Sequence, residues 1–227
     1  MSSFSVGLNV SLRRVQHPLS FAGLFVAATL AIVVAFVERR LGPGAADRTL
    51  TGVTFGLAVP LASLSIVSRT CRTLRLDYSF LELGRHGADR RRLAIGQTAA
   101  AIAVCGVVGT FLGVVSVLAA RGVHDPRLLP DIWATATVGA GAGAAYACWF
   151  IAASSLGKRG AGRTVFLVLD WTLGSSASAL ALLFPRGHIL NLLGASPPLG
   201  LAPAASMAML AGLTFLVLAL AISRIPR

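Results

Sequence analysis

The sequence predicts an all-α, polytopic membrane protein with six transmembrane helices, an N-terminal amphipathic helix and one helical cytoplasmic segment. Of the 227 residues, 56% are hydrophobic and only 12% are charged, and the mean hydropathy is +0.79. These values exclude a soluble globular protein of ordinary composition. The apolar runs are long and continuous and do not alternate with polar residues, which excludes an outer-membrane β-barrel.

The segment 1–17 is predicted to form an interfacial helix. Apolar residues recur at helical spacing beside Arg13 and Arg14, which is typical of a helix that lies on a membrane surface. These apolar residues are Leu8, Leu12, Val15 and Leu19. The alternative is a frayed terminus without regular structure.

The segment 18–227 is predicted to form the transmembrane domain. About 20 helical residues cross the hydrocarbon core of a bilayer. Six apolar runs have that length: 18–37, 50–68, 93–120, 132–156, 164–184 and 199–223. The first run lacks a small-residue cleavage site, so we expect it to remain as a signal anchor. The connections are too short for a folded soluble domain, and 69–92 is the one long enough to meet a cytoplasmic partner.

Basic residues set the predicted orientation. Lys and Arg number 20 against 8 Asp and Glu, for a net charge of +12. Fourteen of the 20 fall in the N-terminal segment, in 69–92, in 157–163 and in the C-terminal segment. The positive-inside rule then predicts an inner-membrane protein with both termini in the cytoplasm. Because the cations interrupt apolar runs and do not line one face, we expect anionic lipid as the acidic partner and not nucleic acid.

Small residues and a proline indicate how the spans pack. Glycines at close spacing allow helix backbones to approach one another; they are Gly106, Gly109 and Gly113 in the third run, and Gly139, Gly141 and Gly143 in the fourth. Pro60 lies inside the second run, removes a backbone donor and is expected to kink that helix. Ser63 and Ser65 could satisfy the freed carbonyl groups. Such a kink serves either a gate or the fit of a curved bundle.

Asp170 is the one ionisable residue well inside a predicted span. A carboxylate is costly in hydrocarbon, so it is a candidate for a proton site, a cation site or a substrate contact. It lies only about 9 Å of helix rise from Thr164, at the cytoplasmic end of its run. Pairing with Arg163 or Arg69, or with Ser and Thr hydroxyl groups, is therefore the structural alternative.

The sequence offers no constellation for catalysis or metal binding. The histidines are scattered singly, and the cysteines are odd in number, so neither a metal site nor a disulfide framework is predicted; they are His17, His86, His124 and His188, and Cys71, Cys105 and Cys148. A phosphate-binding Gly-x4-Gly-Lys-Ser/Thr loop is absent from the sequence, so this chain is not expected to be an enzyme or to hydrolyse ATP on its own.

The cytoplasmic segment is predicted to contain a helix with two apolar stripes. Leu74, Tyr78 and Leu81 form one stripe, and the second lies nearly opposite, so such a helix could be sandwiched between two bodies. The second stripe contains Leu76, Phe80 and Leu83. A strand is the alternative, but it would leave its edges unpaired. Gly84 and Gly87 can end the helix, and Asp89 is a plausible N-cap for the third span.

These features resemble the permeases of type 2 ABC transporters. Permeases of this family are six-helix bundles with cytoplasmic termini and an amphipathic N-terminal helix. A coupling helix lies between their second and third spans, before a Gly-x-x-Arg-Arg-like motif. Here the motif corresponds to residues 87–93. The coupling helix corresponds to Leu76, Asp77, Tyr78, Ser79, Phe80, Leu81, Glu82, Leu83, Gly84 and Arg85.

The resemblance implies a division of labour between chains. A separate ATPase subunit would dock on the coupling helix and bind ATP and Mg, while this chain would hold no cofactor. A second permease subunit, identical or related, would complete the path for an exported amphipathic or lipid-like substrate. Replacing Tyr78 and Phe80 with Asp would then release the ATPase without unfolding the bundle. The alternative function is a non-transporting membrane scaffold or assembly subunit, and the segment 185–198 could form a re-entrant hairpin.

Overall fold

The computed structural model describes residues 2–72, 74–176, 178–195 and 200–225, and these contain helices, turns and no strand. The helices are α1 (Ser3–Val15), α2 (Pro18–Arg40), α3 (Ala45–Arg48), a π-helix (Thr49–Ala58), α4 (Val59–Thr70), α5 (Leu81–Arg85), α6 (Arg90–Arg121), α7 (Leu128–Ala153), α8 (Gly162–Leu173), α9 (Pro185–Leu192) and α10 (Pro203–Ser223). Two 3₁₀ turns cover Lys158–Gly160 and Ala179–Leu183. The predicted all-helical class is confirmed for the described residues.

Five helical stretches are long and apolar enough to cross a membrane. They are Phe21–Arg40, Ala45–Thr70, Arg90–Arg121, Leu128–Ala153 and Pro203–Ser223. They coincide with the first, second, third, fourth and sixth predicted runs. Their length and composition fit an integral membrane protein.

The structure differs from the prediction at the fifth run, 164–184, which is not a continuous helix. Helix α8 ends at Leu173 after 12 residues, and the eight-residue helix α9 begins only at Pro185. At about 1.5 Å per residue, neither helix alone covers the roughly 30 Å of a bilayer core. Two residues at the interruption contribute to it. Gly174, which follows α8, leaves room for the close approach of Phe184 and Arg186, and Pro185 favours the first turn of a new helix.

The bundle has two ends that differ in their connections. At one end, here called the basic end, α4 leads to α6 through residues 71–89, and α7 leads to α8 through residues 154–161. Helix α10 also finishes at this end, at Ser223. At the opposite end Arg48 pairs with Glu38 at 2.6 Å, and Arg121 pairs with Asp125 at 3.1 Å.

The central contact of the bundle joins α6 and α7 through glycines. A Cβ atom on Gly109 would overlap the carbonyl oxygen of Gly139, and one on Gly143 would overlap that of Cys105. The two backbones therefore touch directly, as small residues permit. Gly141, by contrast, has no neighbouring atom within 4 Å of the position that a Cβ atom would occupy. Of the glycines predicted to mediate helix packing, Gly109, Gly139 and Gly143 therefore lie in this contact and Gly141 does not.

Glycines also bring helix α1 into direct backbone contact with the start of α6. A Cβ atom on Gly7 would overlap the carbonyl oxygen of Leu93, and one on Gly96 would overlap that of Phe4. The buried residues of α1 are Gly7 and Ser11. Of the apolar stripe from which an amphipathic helix is predicted, Leu8, Leu12 and Val15 are only partly buried, and the Leu19 side chain lies outside the described part of the structure. The closest approach of α1 to the bundle therefore depends on small residues, and Val15 of the stripe also packs against the core.

Replacing Gly143 with Ala should destabilise the bundle by about 1–3 kcal/mol, because the added methyl group collides with the α6 backbone. Replacing Gly141 with Ala is the matched control, since the same change two residues earlier meets open space. Thermal unfolding of the two purified variants in detergent micelles measures the difference. Equal unfolding temperatures would contradict the direct contact between α6 and α7.

Candidate functional site

The segment predicted as the coupling helix is not one helix. Residues 76–80 form successive turns, and only Leu81–Arg85 is helical. Two arginines take carbonyl oxygens that a helix would have used internally. Arg90 Nη2 donates to the Asp77 oxygen at 2.6 Å, and Arg14 Nη2 donates to the Ser79 oxygen at 3.5 Å. These tertiary contacts replace the helical bonds of the first turn.

Arg14 of α1 holds the turn segment, defined here as residues 74–80, from one side. Its Nη1 donates to the carbonyl oxygen of Thr70 at 2.7 Å. Its guanidinium carbon lies 5.2 Å from the centre of the Phe80 ring, within the range of a cation–π contact. Burial lowers the pKa of Arg14 from its ordinary value. Arg14 therefore joins the N-terminal helix, the end of α4 and the turn segment.

Gln97 of α6 holds the turn segment from a second side. Its Oε1 accepts the hydroxyl of Ser79 at 3.1 Å, and its Nε2 donates to the sulfur of Cys71 at 2.8 Å. Both partners are buried, and burial raises the pKa of the Cys71 thiol. The Gln97 amide thus connects α6 to the turn segment through Ser79 and to the end of α4 through Cys71, by hydrogen bonds between buried side chains.

Arg163, at the start of α8, holds the turn segment from a third side. The side chain is buried, and its guanidinium donates to the carbonyl oxygens of Gly160 at 3.0 Å, Leu74 at 3.3 Å and Val67 at 3.5 Å. The sequence offered Arg163 as a partner for Asp170. In the structure it instead satisfies backbone carbonyl groups at the basic end.

The turn segment has one buried and one exposed face. Leu76 and Phe80 are buried, while Leu74 is 38% and Tyr78 is 52% exposed. Leu76 and Phe80 therefore form an inner side and Leu74 and Tyr78 an outer side, although the backbone is not helical, while Leu81 and Leu83 are both partly buried. The outer side, together with 157–159, lines an open groove of about 530 Å³. Of the two aromatic residues predicted to dock a partner, only Tyr78 lies on the outer side, because the Phe80 ring packs under Arg14.

Asp170 lies at a buried junction of three helices. Its Oδ2 accepts the hydroxyl of Tyr146 on α7 at 2.9 Å, and its Oδ1 accepts the backbone N–H of Arg186 on α9 at 3.1 Å. The carboxylate therefore caps the first turn of α9 from the interior of α8. An acidic group in this position also complements the positive end of the α9 dipole.

Arg186 connects this junction to the irregular second span. Its Nη1 donates to the carbonyl oxygen of Gly56 at 2.6 Å. Gly56 precedes Pro60 by four residues, so its carbonyl lacks the donor that a regular α-helix would supply. The sequence proposed Ser63 and Ser65 for this role, but the structure uses Arg186. The irregularity itself is the π-helix Thr49–Ala58, which lies on the N-terminal side of Pro60.

Two further buried polar residues on α9 were not identified from the sequence. His188 Nε2 lies 2.9 Å from the Leu182 carbonyl oxygen, and Asn191 Nδ2 donates to the Ser206 hydroxyl at 2.7 Å. Their spacing of three residues places them on neighbouring positions of one helix, which was the available signal. The stretch 185–198 is predicted to be a connection that could form a re-entrant hairpin; in the structure its first part is the helix α9, and residues 196–198 lie outside the described residues.

The residues singled out from the sequence thus fall into two places. The turn segment and α5 lie at the basic end, while Asp170 and Pro60 lie within the bundle and are linked through Arg186 and Gly56.

Within the described residues, no three His, Cys, Asp or Glu side chains come together as a metal site would require. No protein-family model, curated protein or solved structure matches this chain.

Replacing Asp170 with Ala should lower the stability by about 2 kcal/mol or more, because it leaves the Arg186 N–H and the Tyr146 hydroxyl without an acceptor. Asp170→Asn keeps one acceptor oxygen and should cost less. Thr172→Val, at an exposed position of the same helix, is the control. Thermal unfolding in detergent micelles measures all three. An Ala variant as stable as the parent would contradict the capping role and favour direct contact with a transported species.

Proposed function

We propose that this chain is the permease subunit of an ABC-type exporter and that a separate ATPase subunit moves it. The proposal rests on the two different faces of the turn segment. Its inner face is hydrogen-bonded to α1, α6 and α8, and its outer face exposes Leu74 and Tyr78. An apolar surface on a rigid support can receive force from a partner and pass it into the bundle.

Helix α8 supplies a route for that force. Arg163 ties its first turn to the turn segment, and Asp170 lies about 10.5 Å further along the same helix. There the carboxylate holds the first turn of α9. A displacement of the turn segment would therefore reach the buried junction through one short helix and would not need to bend a long span.

Helices α8 and α9 together complete a sixth crossing in this proposal. Helix α8 starts at the basic end, and α9 finishes beside the start of α10, where Asn191 donates to Ser206. The two helices contain 12 and 8 residues, and the hydrogen bond from the Arg186 N–H to Asp170 places the last turn of α8 beside the first turn of α9. Discontinuous helices with polar groups at the break are a recurrent feature of transporters. Six crossings and the positive-inside rule would leave both termini in the cytoplasm of an inner-membrane protein.

The proposed substrate is amphipathic or lipid-like. Among the described residues, the charged groups drawn into the bundle away from its ends are Asp170 and Arg186, and both are engaged with protein partners. Such an interior suits an apolar cargo better than a strongly ionic one. A second permease subunit would complete the path, and ATP and Mg would bind to the partner ATPase. A non-transporting scaffold is the competing function.

A photo-cross-linking amino acid at Tyr78 should capture an ATPase subunit in native membranes, because this side chain is the most exposed large apolar group of the turn segment. The same amino acid at Val123, exposed at the opposite end, is the control. Mass spectrometry of the adduct would identify a chain with a Gly-x4-Gly-Lys-Ser/Thr loop. Tyr78→Asp should reduce the ATPase activity that copurifies by about tenfold or more, whereas Tyr78→Phe should preserve it.

An adduct without a nucleotide-binding loop, formed at Tyr78 and not at Val123, would contradict the transporter and support the scaffold. Phe80 is unsuitable for this experiment. Its substitution would remove the ring beneath Arg14 and confuse docking with stability.

Cysteine accessibility tests the orientation separately. The three native cysteines are all buried, so an introduced cysteine reports alone. Tyr78→Cys should react with a membrane-impermeant maleimide only after the inner membrane is opened, and Val123→Cys should react in sealed spheroplasts. The reversed pattern would contradict the proposed topology.

A further inference from the structure

An apolar groove runs along the outside of the bundle at the basic end. It lies between α7, α8 and α10 and has a volume of about 470 Å³, which is within the range of ligand sites. Trp149, Phe166 and Val217 contribute to its walls. The Trp149 and Phe166 rings stack with their centres 4.9 Å apart, which gives the groove a firm aromatic wall.

The charge around the groove is positive. Arg224 lines it, and within the described part of the chain no hydrogen bond or ion pair engages that guanidinium. Lys158 and Arg159 follow directly on Gly157, another lining residue. No carboxylate belongs to the described lining. An anionic group at this end would therefore meet cations without competition from acidic side chains.

The groove is also continuous with the surface that a bilayer would cover. Val165, Leu169 and Leu220 line it and are exposed. Their apolar side chains and the neighbouring guanidinium suit an occupant with a long apolar chain and an anionic head. A soluble anion would gain nothing from the walls, and a neutral lipid would gain nothing from Arg224.

We infer that this groove binds an anionic phospholipid, with an acyl chain against Trp149 and Phe166 and the headgroup phosphate at Arg224. The site does not depend on a transport function, since it requires only that the chain lies in a membrane. It lies beside the open groove at the turn segment, with which it shares Gly157, but Trp149, Phe166 and Arg224 do not line that open groove.

Quenching of Trp149 by brominated acyl chains tests the site. The variant Trp133→Phe, Trp171→Phe leaves Trp149 as the one fluorophore among three tryptophans. It is reconstituted in phosphatidylcholine vesicles with increasing fractions of either brominated phosphatidylglycerol or brominated phosphatidylcholine. Half-maximal quenching should need about fivefold less phosphatidylglycerol, the factor expected for one cation near an anionic surface.

Arg224→Gln should remove this preference, and Arg40→Gln, which deletes the same charge at the opposite end, should leave it intact. Equal quenching by the two lipids would overturn the inference. So would equal effects of the two substitutions, because general attraction to the surface would then suffice. The absence of quenching by either lipid would also overturn it, since the groove would be closed, for example by a second copy of the chain. Native mass spectrometry of the unmodified chain with both lipids provides an independent measurement.

Discussion

An unpaired backbone polar group in an apolar interior is the constraint around which this fold is arranged. Hydrocarbon provides no hydrogen-bond partner, so every interruption of a helix at depth must be repaired by the protein itself. Pro60 deprives the Gly56 carbonyl of its helical donor, and α9 begins with free N–H groups. Arg186 takes part in both repairs, because its N–H meets Asp170 and its guanidinium meets Gly56.

Arginine recurs at several places where the described backbone departs from a regular helix. Arg14, Arg90 and Arg163 donate to carbonyl oxygens around the turn segment, as Arg186 does within the bundle. A guanidinium suits this role because it carries five donors on one planar group and a long flexible stem. From the composition, the arginines were interpreted only as determinants of membrane orientation. Several of them also stabilise the structure through these hydrogen bonds. These hydrogen bonds fix the turn segment to the bundle. Helix α8 connects it to the junction between α8 and α9 at Asp170, and this arrangement is suited to transmitting a small displacement.

Sequence reasoning was most reliable where a local property decides the outcome. Five of the six apolar runs are helices long enough to span, because length and hydropathy are readable without knowing neighbours. The pattern also placed Leu76 and Phe80 opposite Tyr78, but it did not predict which of the two stripes is buried, and it offered Phe80 as a docking residue beside Tyr78. The backbone conformation of that segment could not be predicted from the pattern. Its carbonyl groups accept hydrogen bonds from Arg14 and Arg90, which lie 65 and 13 residues away from their acceptors in the sequence.

The sequence by itself determined the helical class, the membrane character and the positions of most long spans. Only the tertiary structure decided that the fifth run breaks into α8 and α9, that Arg186 serves the carbonyl near Pro60, and that Gly7 meets α6. The physical reason is that each of these features is a hydrogen bond or a close approach between residues far apart in the chain. Periodicity and composition indicate which face of a segment is buried. They do not indicate which other segment packs against that face.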